Sequence, residues 1–359
     1  GESARRAVLG NSVTRHSILL NNLERGTRYQ FTVQSAGYDG LQSRSRTYSF
    51  NTPAQGTSAV ALPRFFDRKD QGEMGDEVLT EIAMTNLGGQ PATLLLTALD
   101  DEGNLIAGPN IVNPTRLQVS PKAQSATLDL DIFGEDLLLA ASRGWIKVES
   151  TTPDVGGFSL AFGSNLDFAD GTAVGDTPLT DFAFTDVEPN GATRINLANN
   201  NRKNATVVFD LVNANGTVGQ TQSRAIPANG AFVGDLFTDV FPGIRPDASG
   251  YVRVNSTEGM LAFEMMKKNS GDIASLPGQD LAAGATVLYS PHYVTGSEWA
   301  TTLSVVNLDA RPGRVQFRFI GENGAQIGLA RSLEITANGK LHINDPAFFG
   351  QNPDGTYTG

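Results

Sequence analysis

Cysteine is absent from the 359-residue chain, which removes disulfides, thiolate nucleophiles and cysteine-ligated zinc together. Histidine is scarce: His16, His292 and His342 are the whole supply, no two at ligand spacing and none beside a nucleophile motif. No local motif assembles a histidine metal site or a Ser-His-Asp triad, since neither G-x-S-x-G nor H-E-x-x-H occurs. No glycine-rich phosphate loop follows a strand and opens a helix. Basic residues are the minority, 27 against 38 acids for a net charge of −11; such a chain repels phosphate backbones and anionic lipid, so nucleic acid and membrane surfaces are poor partners. No apolar run approaches the roughly 20 residues that cross a bilayer. The chain opens at Gly1 with neither Met nor a signal-peptide pattern, so a fragment with its targeting sequence upstream is expected.

What is present is strand-forming. Hydrophobic residues make up 40% of the chain, alongside 39 Gly and 17 Pro, enough for cores built from short strands and tight turns. The length calls for two to four domains.

In the first segment, Leu23 precedes a Gly26-Thr27 turn, and Tyr29, Phe31 and Val33 then alternate as one buried face of a strand. Asp39-Gly40 marks a second turn, and Tyr48 to Phe50 begins a closing strand ending at Thr52-Pro53. This segment resembles the last three strands of a fibronectin type III domain. The resemblance implies an extracellular modular protein, with Tyr29 as the tyrosine of the sandwich corner; Arg25 stands where the family commonly has proline.

The strongest signal is internal. Three stretches, Thr80 to Gly103, Thr193 to Gly216 and Thr301 to Gly324, align without gaps, and their shared asparagines Asn86, Asn199 and Asn307 lie 113 and then 108 residues apart. A period near 110 residues is one domain per repeat rather than a solenoid. Ile82, Ile195 and Leu303 share one column and Met84, Leu197 and Val305 another. Leu94, Val207 and Val315 begin the second strand, followed by Leu96, Phe209 and Phe317. Such spacing gives strands with one buried face, Ala83, Asn196 and Ser304 lying between the core columns. Glu102-Gly103, Asn215-Gly216 and Asn323-Gly324 close the same hairpin. Pro121-Lys122-Ala123, Pro227-Ala228-Asn229-Gly230 and Thr336-Ala337-Asn338-Gly339 mark a further shared turn, and Trp145 and Tyr251 open a later strand in one column, read as packing residues.

The fold class expected is all-β, a tandem of antiparallel β-sandwich (immunoglobulin-like or fibronectin-like) modules. The boundaries are 1–53 for the fibronectin-like part, then 61–165, 176–270 and 284–359 for three repeats, the last truncated before its final two strands. The repeats resemble tandem sandwich modules of large secreted bacterial proteins.

Two constellations stand as ligand candidates. Asp167, Asp170, Asp176, Asp181 and Asp186 crowd a stretch without Lys or Arg, and calcium takes six to eight oxygens; without a D-x-D-x-D-G loop, a solvated acidic linker outweighs a metal site. Tyr289, Tyr293 and Trp299 could stack on a sugar, with packing over the sandwich end as the competing reading. Asp100-Asp101-Glu102 tempts as a glycosidase pair but aligns with ordinary hairpin tips. No catalytic residue and no cofactor is expected. The chain reads as a structural or adhesion array, extracellular or at the cell surface, with proteins or carbohydrates as partners. The alternative is the accessory, carbohydrate-binding region of a secreted polysaccharide-degrading enzyme.

Overall fold

The computed structural model describes residues 28–36, 42–45, 47–51, 59–62, 78–141, 143–163, 169–173, 177–245, 247–269, 273–295, 301–350 and 357–358. They are built almost wholly of antiparallel strands and fall into two compact units, Gly1–Thr57 and Ser58–Gly359.

In the first unit, Arg28–Phe31 pairs with Tyr48–Asn51 and Gln34–Ala36 with Gln42–Arg44. Tyr29 is half-buried. Phe31 and Val33, expected on a buried face, are exposed, and the Phe31 ring stacks on Tyr48 across the pair with centroids 5.4 Å apart.

The second unit holds the three repeats. Repeat one has two four-stranded sheets, one ordered 59–62, Trp145–Ser150, Ala92–Leu99, Thr115–Val119 and the other Ala169–Ala173, Val155–Gly163, Val78–Asn86, Gln124–Leu128. Both contribute to one core: Ile82 and Met84 from one, Leu94, Leu96, Ile146 and Val148 from the other. That arrangement is β-sandwich-like. The second sheet runs on to Ala173, past the expected boundary at 165. The stretch read as a linker also supplies Leu179–Phe184, which lies between Tyr251–Lys268 and Gln279–Asp280 in repeat two.

Repeat two buries the same columns, Ile195, Leu197, Val207 and Phe209, each with no exposure. Its sheets are joined by one 18-residue strand, Tyr251–Lys268. The first half of that strand pairs with Ala205–Val212 and the second half with Gly191–Asn199. Repeat one breaks at the same place into Trp145–Ser150 and Val155–Gly163. Pro153 stands in its break, where a missing N–H cannot continue a ladder, and repeat two has Gly259 there.

Repeat three consists of Leu303–Val306 paired with Lys340–Ile343, Gly313–Ile320 with Gln326–Ile335, and Val294–Thr295 with Tyr357–Thr358. Tyr293, Phe319 and Phe349 form its core.

The residues between the core columns depart from simple alternation. Ala83 and Asn196 are buried as well, because their strands are central in their sheets and flanked on both sides.

Backbone conformation repeats as closely as the core. The left-handed residues Gly103, Gly216 and Gly324 (φ 85°, 84° and 77°) are one column, and Lys122, Asn229 and Asn338 (58°, 56° and 52°) a second. Glycine suits the first column, where any Cβ would be strained; asparagine tolerates the second.

Candidate functional site

The shared asparagine is a staple. Asn199 donates from Nδ2 to the carbonyls of Lys203 (2.8 Å) and Pro227 (2.8 Å) and accepts from the amide of Asn201 (3.0 Å). Asn86 and Asn307 repeat the pattern, donating to Gln90 and Val119 and to Arg311 and Thr336. The backbone N–H of each donates to the third residue of the turn, Ala123, Gly230 or Gly339. One side chain thus fixes the end of a core strand against that turn.

The turn so fixed receives the preceding repeat. At the first joint Trp145 Nε1 donates to the Asn229 carbonyl (2.9 Å), and the amide of Ala231 donates to the Asp101 carbonyl at the hairpin tip (2.9 Å). At the second, the Tyr251 hydroxyl donates to the Asn338 carbonyl (2.9 Å), and the amide of Lys340 to the Ala214 carbonyl (3.0 Å). Glycines on both sides permit the approach. A Cβ on Gly103 would overlap the Ala228 carbonyl oxygen, and one on Gly216 that of Ala337; one on Gly230 would lie 2.5 Å from the Asp101 oxygen, and one on Gly339 2.7 Å from that of Ala214. The two aromatic bonds are part-buried, so a carbonyl that lost its donor would be only partly re-solvated. Two different aromatic donors in one column, each satisfying the same acceptor one repeat later, make this a joint that recurs.

Around this shared frame the joints differ in chemistry. The first is apolar: Leu99 and Trp145 of repeat one pack with Ala198, Ala231 and Leu261 of repeat two. Arg143 beside it pairs with Asp101 and reaches the Val233 carbonyl at 3.5 Å. The second is charged. The Lys340 side chain is fully enclosed and donates to the carbonyls of Ala248 (2.8 Å) and Gly250 (3.0 Å), with Asp186 Oδ1 at 3.5 Å. Burial lowers the Lys340 pKa against the pull of Asp186, and burial likewise lowers that of His342. Glu264, wholly buried, accepts from the amides of Thr185 (3.1 Å) and Asp186 (3.2 Å) through Oε1, while Oε2 has no partner. Burial, and next the Asp186 charge, raise its pKa well above the ordinary carboxylate value, against the two amide bonds it accepts.

This joint brings together Ser304, His342 and Asp186, the residue types of a hydrolytic triad, from two repeats. Ser304 Oγ donates to Asp186 Oδ1 at 2.5 Å and lies 3.4 Å from His342 Nδ1, and Asp186 Oδ1 is 3.8 Å from that same nitrogen. A triad needs the hydroxyl on one imidazole nitrogen and the carboxylate on the other. Here both face Nδ1 and the carboxylate takes the serine proton directly, so the relay order is absent and the cluster serves as a polar seam.

The acids expected as a group are dispersed. Asp170 accepts from Ser275, Asp181 pairs with Arg253 at 3.0 Å, and Asp186 sits in the second joint; Asp167 and Asp176 lie outside the described residues. Among the described residues no three His, Asp or Glu come together as a metal cluster. Of the aromatic trio, Tyr289 is 90% exposed, Tyr293 is buried edge-on against Phe319 and Phe349, and Trp299 lies outside the described residues. The joint itself was not legible. Trp145 and Tyr251 read as packing residues, and the signal that pointed further was Asn-Gly recurring in the turns of repeats two and three but not one. No helix among the described residues is long and apolar enough to cross a membrane.

No protein-family model, no curated protein and no solved structure matches this chain.

Proposed function

We infer that this chain is a non-catalytic array of tandem immunoglobulin-like or fibronectin-like sandwich modules, the structural or adhesive part of a larger secreted or surface protein. The observation that carries the reading is the duplicated joint: Trp145 on Asn229 and Tyr251 on Asn338, both at 2.9 Å. Repeats fastened to one another by the same bonds hold repeat one and repeat three at a set separation, which is what a spacer or a display stalk requires. Relative motion is the default for modules without such contacts. The fibronectin-like pattern around Tyr29 supports an extracellular array. The accessory, carbohydrate-binding reading has less support, since Tyr293 is turned into a core instead of standing beside Tyr289.

Distances between spin labels placed on repeats one and three, in the chain and in a Trp145→Phe/Tyr251→Phe double variant, test the spacer role: the parent should keep one narrow distance across salt and temperature, and the variant should broaden it. Hydrolysis assays on glycans and esters test the absence of catalysis. Turnover that disappears in Ser304→Ala or His342→Ala would overturn that part of the reading.

A further inference from the structure

Repeats two and three each present the strand after the Asn-Gly turn to the repeat before them, and two residues on it change character. In repeat two the turn glycine Gly230 is followed by Ala231 and Val233; in repeat three Gly339 is followed by Lys340 and His342. The pairing register agrees, since Val233 lies opposite Asn196 and His342 opposite Ser304. The first joint thus has an apolar pair where the second has two bases. Both bases turn to a single carboxylate oxygen. Asp186 Oδ1 lies 3.5 Å from the enclosed Lys340 Nζ and 3.8 Å from His342 Nδ1, and it also accepts from Ser304 Oγ. The other acids around His342 are engaged elsewhere: Glu188 accepts from the Asn190 amide, and Asp247, exposed at the rim, accepts from the Ser249 amide. Glu264 faces Lys340, but its hydrogen bonds run to the Thr185 and Asp186 amides inside repeat two. A neutral imidazole suits this seam. An imidazolium would set a second positive charge beside an enclosed ammonium that already draws on the same oxygen.

We propose that the joint between repeats two and three is an acid-released hinge, loosened by a proton on His342, while the joint between repeats one and two stays closed. Burial, and next the Lys340 charge, hold the His342 pKa below its ordinary 6.5, against Asp186, Asp247 and Glu188. A depressed value in the closed joint means that the contribution of His342 is fully present above about 6.5 and is lost as pH falls through that lower value. The titrating groups elsewhere carry the opposite sign. At the first joint burial raises the Asp101 pKa, against its partner Arg143, so acid does not loosen that joint; Glu264 is raised as well. The proposal rests on the reading of the joints as the fastening between repeats.

Hydrogen exchange at two amides tests it. Lys340 donates to the Ala214 carbonyl across the second joint, and Ala231 to the Asp101 carbonyl across the first. Protection factors, which correct for the pH dependence of the free amide, are compared at pH 7.5 and 5.5. That of Lys340 should fall about threefold or more on acidification, and that of Ala231 should not fall. His342→Asn and His342→Val take no proton there, so whichever of them folds should keep its pH 7.5 protection at pH 5.5. Spin labels on repeats two and three should give a distance that broadens at pH 5.5, while labels on repeats one and two keep a narrow one. Undiminished Lys340 protection at pH 5.5, or the same fall in a folded His342 variant, would overturn the hinge and leave the spacer reading standing. A Lys340 amide without protection even at pH 7.5 would overturn both.

Discussion

Trp145 of repeat one reaches 84 residues along the chain to donate its indole N–H to the Asn229 carbonyl at 2.9 Å. The ring is fully buried, and the carbonyl it meets belongs to a half-buried turn residue. Trp145→Phe keeps most of the apolar ring and removes the donor, and stranding the carbonyl costs about 1–3 kcal/mol. Tyr251→Phe should behave alike at the second joint. The two joints share no partner, so the double variant should lose close to the sum in urea unfolding.

Three matched glycines separate backbone strain from docking. Gly103→Ala, Gly216→Ala and Gly324→Ala all place a Cβ at positive φ, a common cost of about 1–2 kcal/mol. Only the first two also press that Cβ onto the next repeat's carbonyl. Both should therefore be about 1–3 kcal/mol more damaging than Gly324→Ala, in line with overpacking elsewhere. Equal losses at all three positions in thermal unfolding would remove the steric basis of the joint.

Asp129 sets a pH dependence inside repeat one. The carboxyl is 2% exposed, Oδ2 has no partner, and burial pushes its pKa up to about 7 from 3.8, against the bond that Oδ1 accepts from the Leu130 amide. With a folded pKa above the unfolded one, the folded state holds the extra proton, so stability falls as pH rises from about 4 to about 7, by on the order of 4 kcal/mol. Asp129→Asn should flatten this slope, stabilising the chain at pH 8 and leaving it close to the parent near pH 4. Glu264 is displaced in the same direction, so Glu264→Gln should remove a further part of the slope.

The staple should matter most where it is deepest. Asn199→Ala strands the Lys203 and Pro227 carbonyls and frees the turn that receives repeat one, an expected loss of about 3 kcal/mol or more. Asn307 is half-buried, so water can re-solvate its partners and Asn307→Ala should cost less. Denaturant unfolding of the two variants checks the order.

Much of this architecture was legible because core residues obey a period. Ile82, Leu96, Ile195 and Phe209 announce their strands by alternation alone, and the Asn86, Asn199, Asn307 spacing gives the repeat. The hairpin tips were readable as turns because Gly103, Gly216 and Gly324 occupy a conformation that few residues tolerate. The joint was not readable in the same way. Its bonds run between residues 84 and 87 positions apart and end on main-chain carbonyls, which every residue possesses and no sequence pattern marks. Asp170, Asp181 and Asp186 are neighbours along the chain, yet their partners Ser275, Arg253 and Lys340 lie on different strands. Ser304, His342 and Asp186 show the converse, distant in sequence and joined only because repeat three docks on repeat two.

The central claim, that buried joints fasten the repeats into one body, is tested most directly by residual dipolar couplings from backbone amides of residues 78–163, 179–277 and 303–349 in one weakly aligned sample. A single alignment tensor fitting all three sets is the predicted result. Three repeats that each demand a tensor of their own, with differing order, would mean that the joints do not hold in solution.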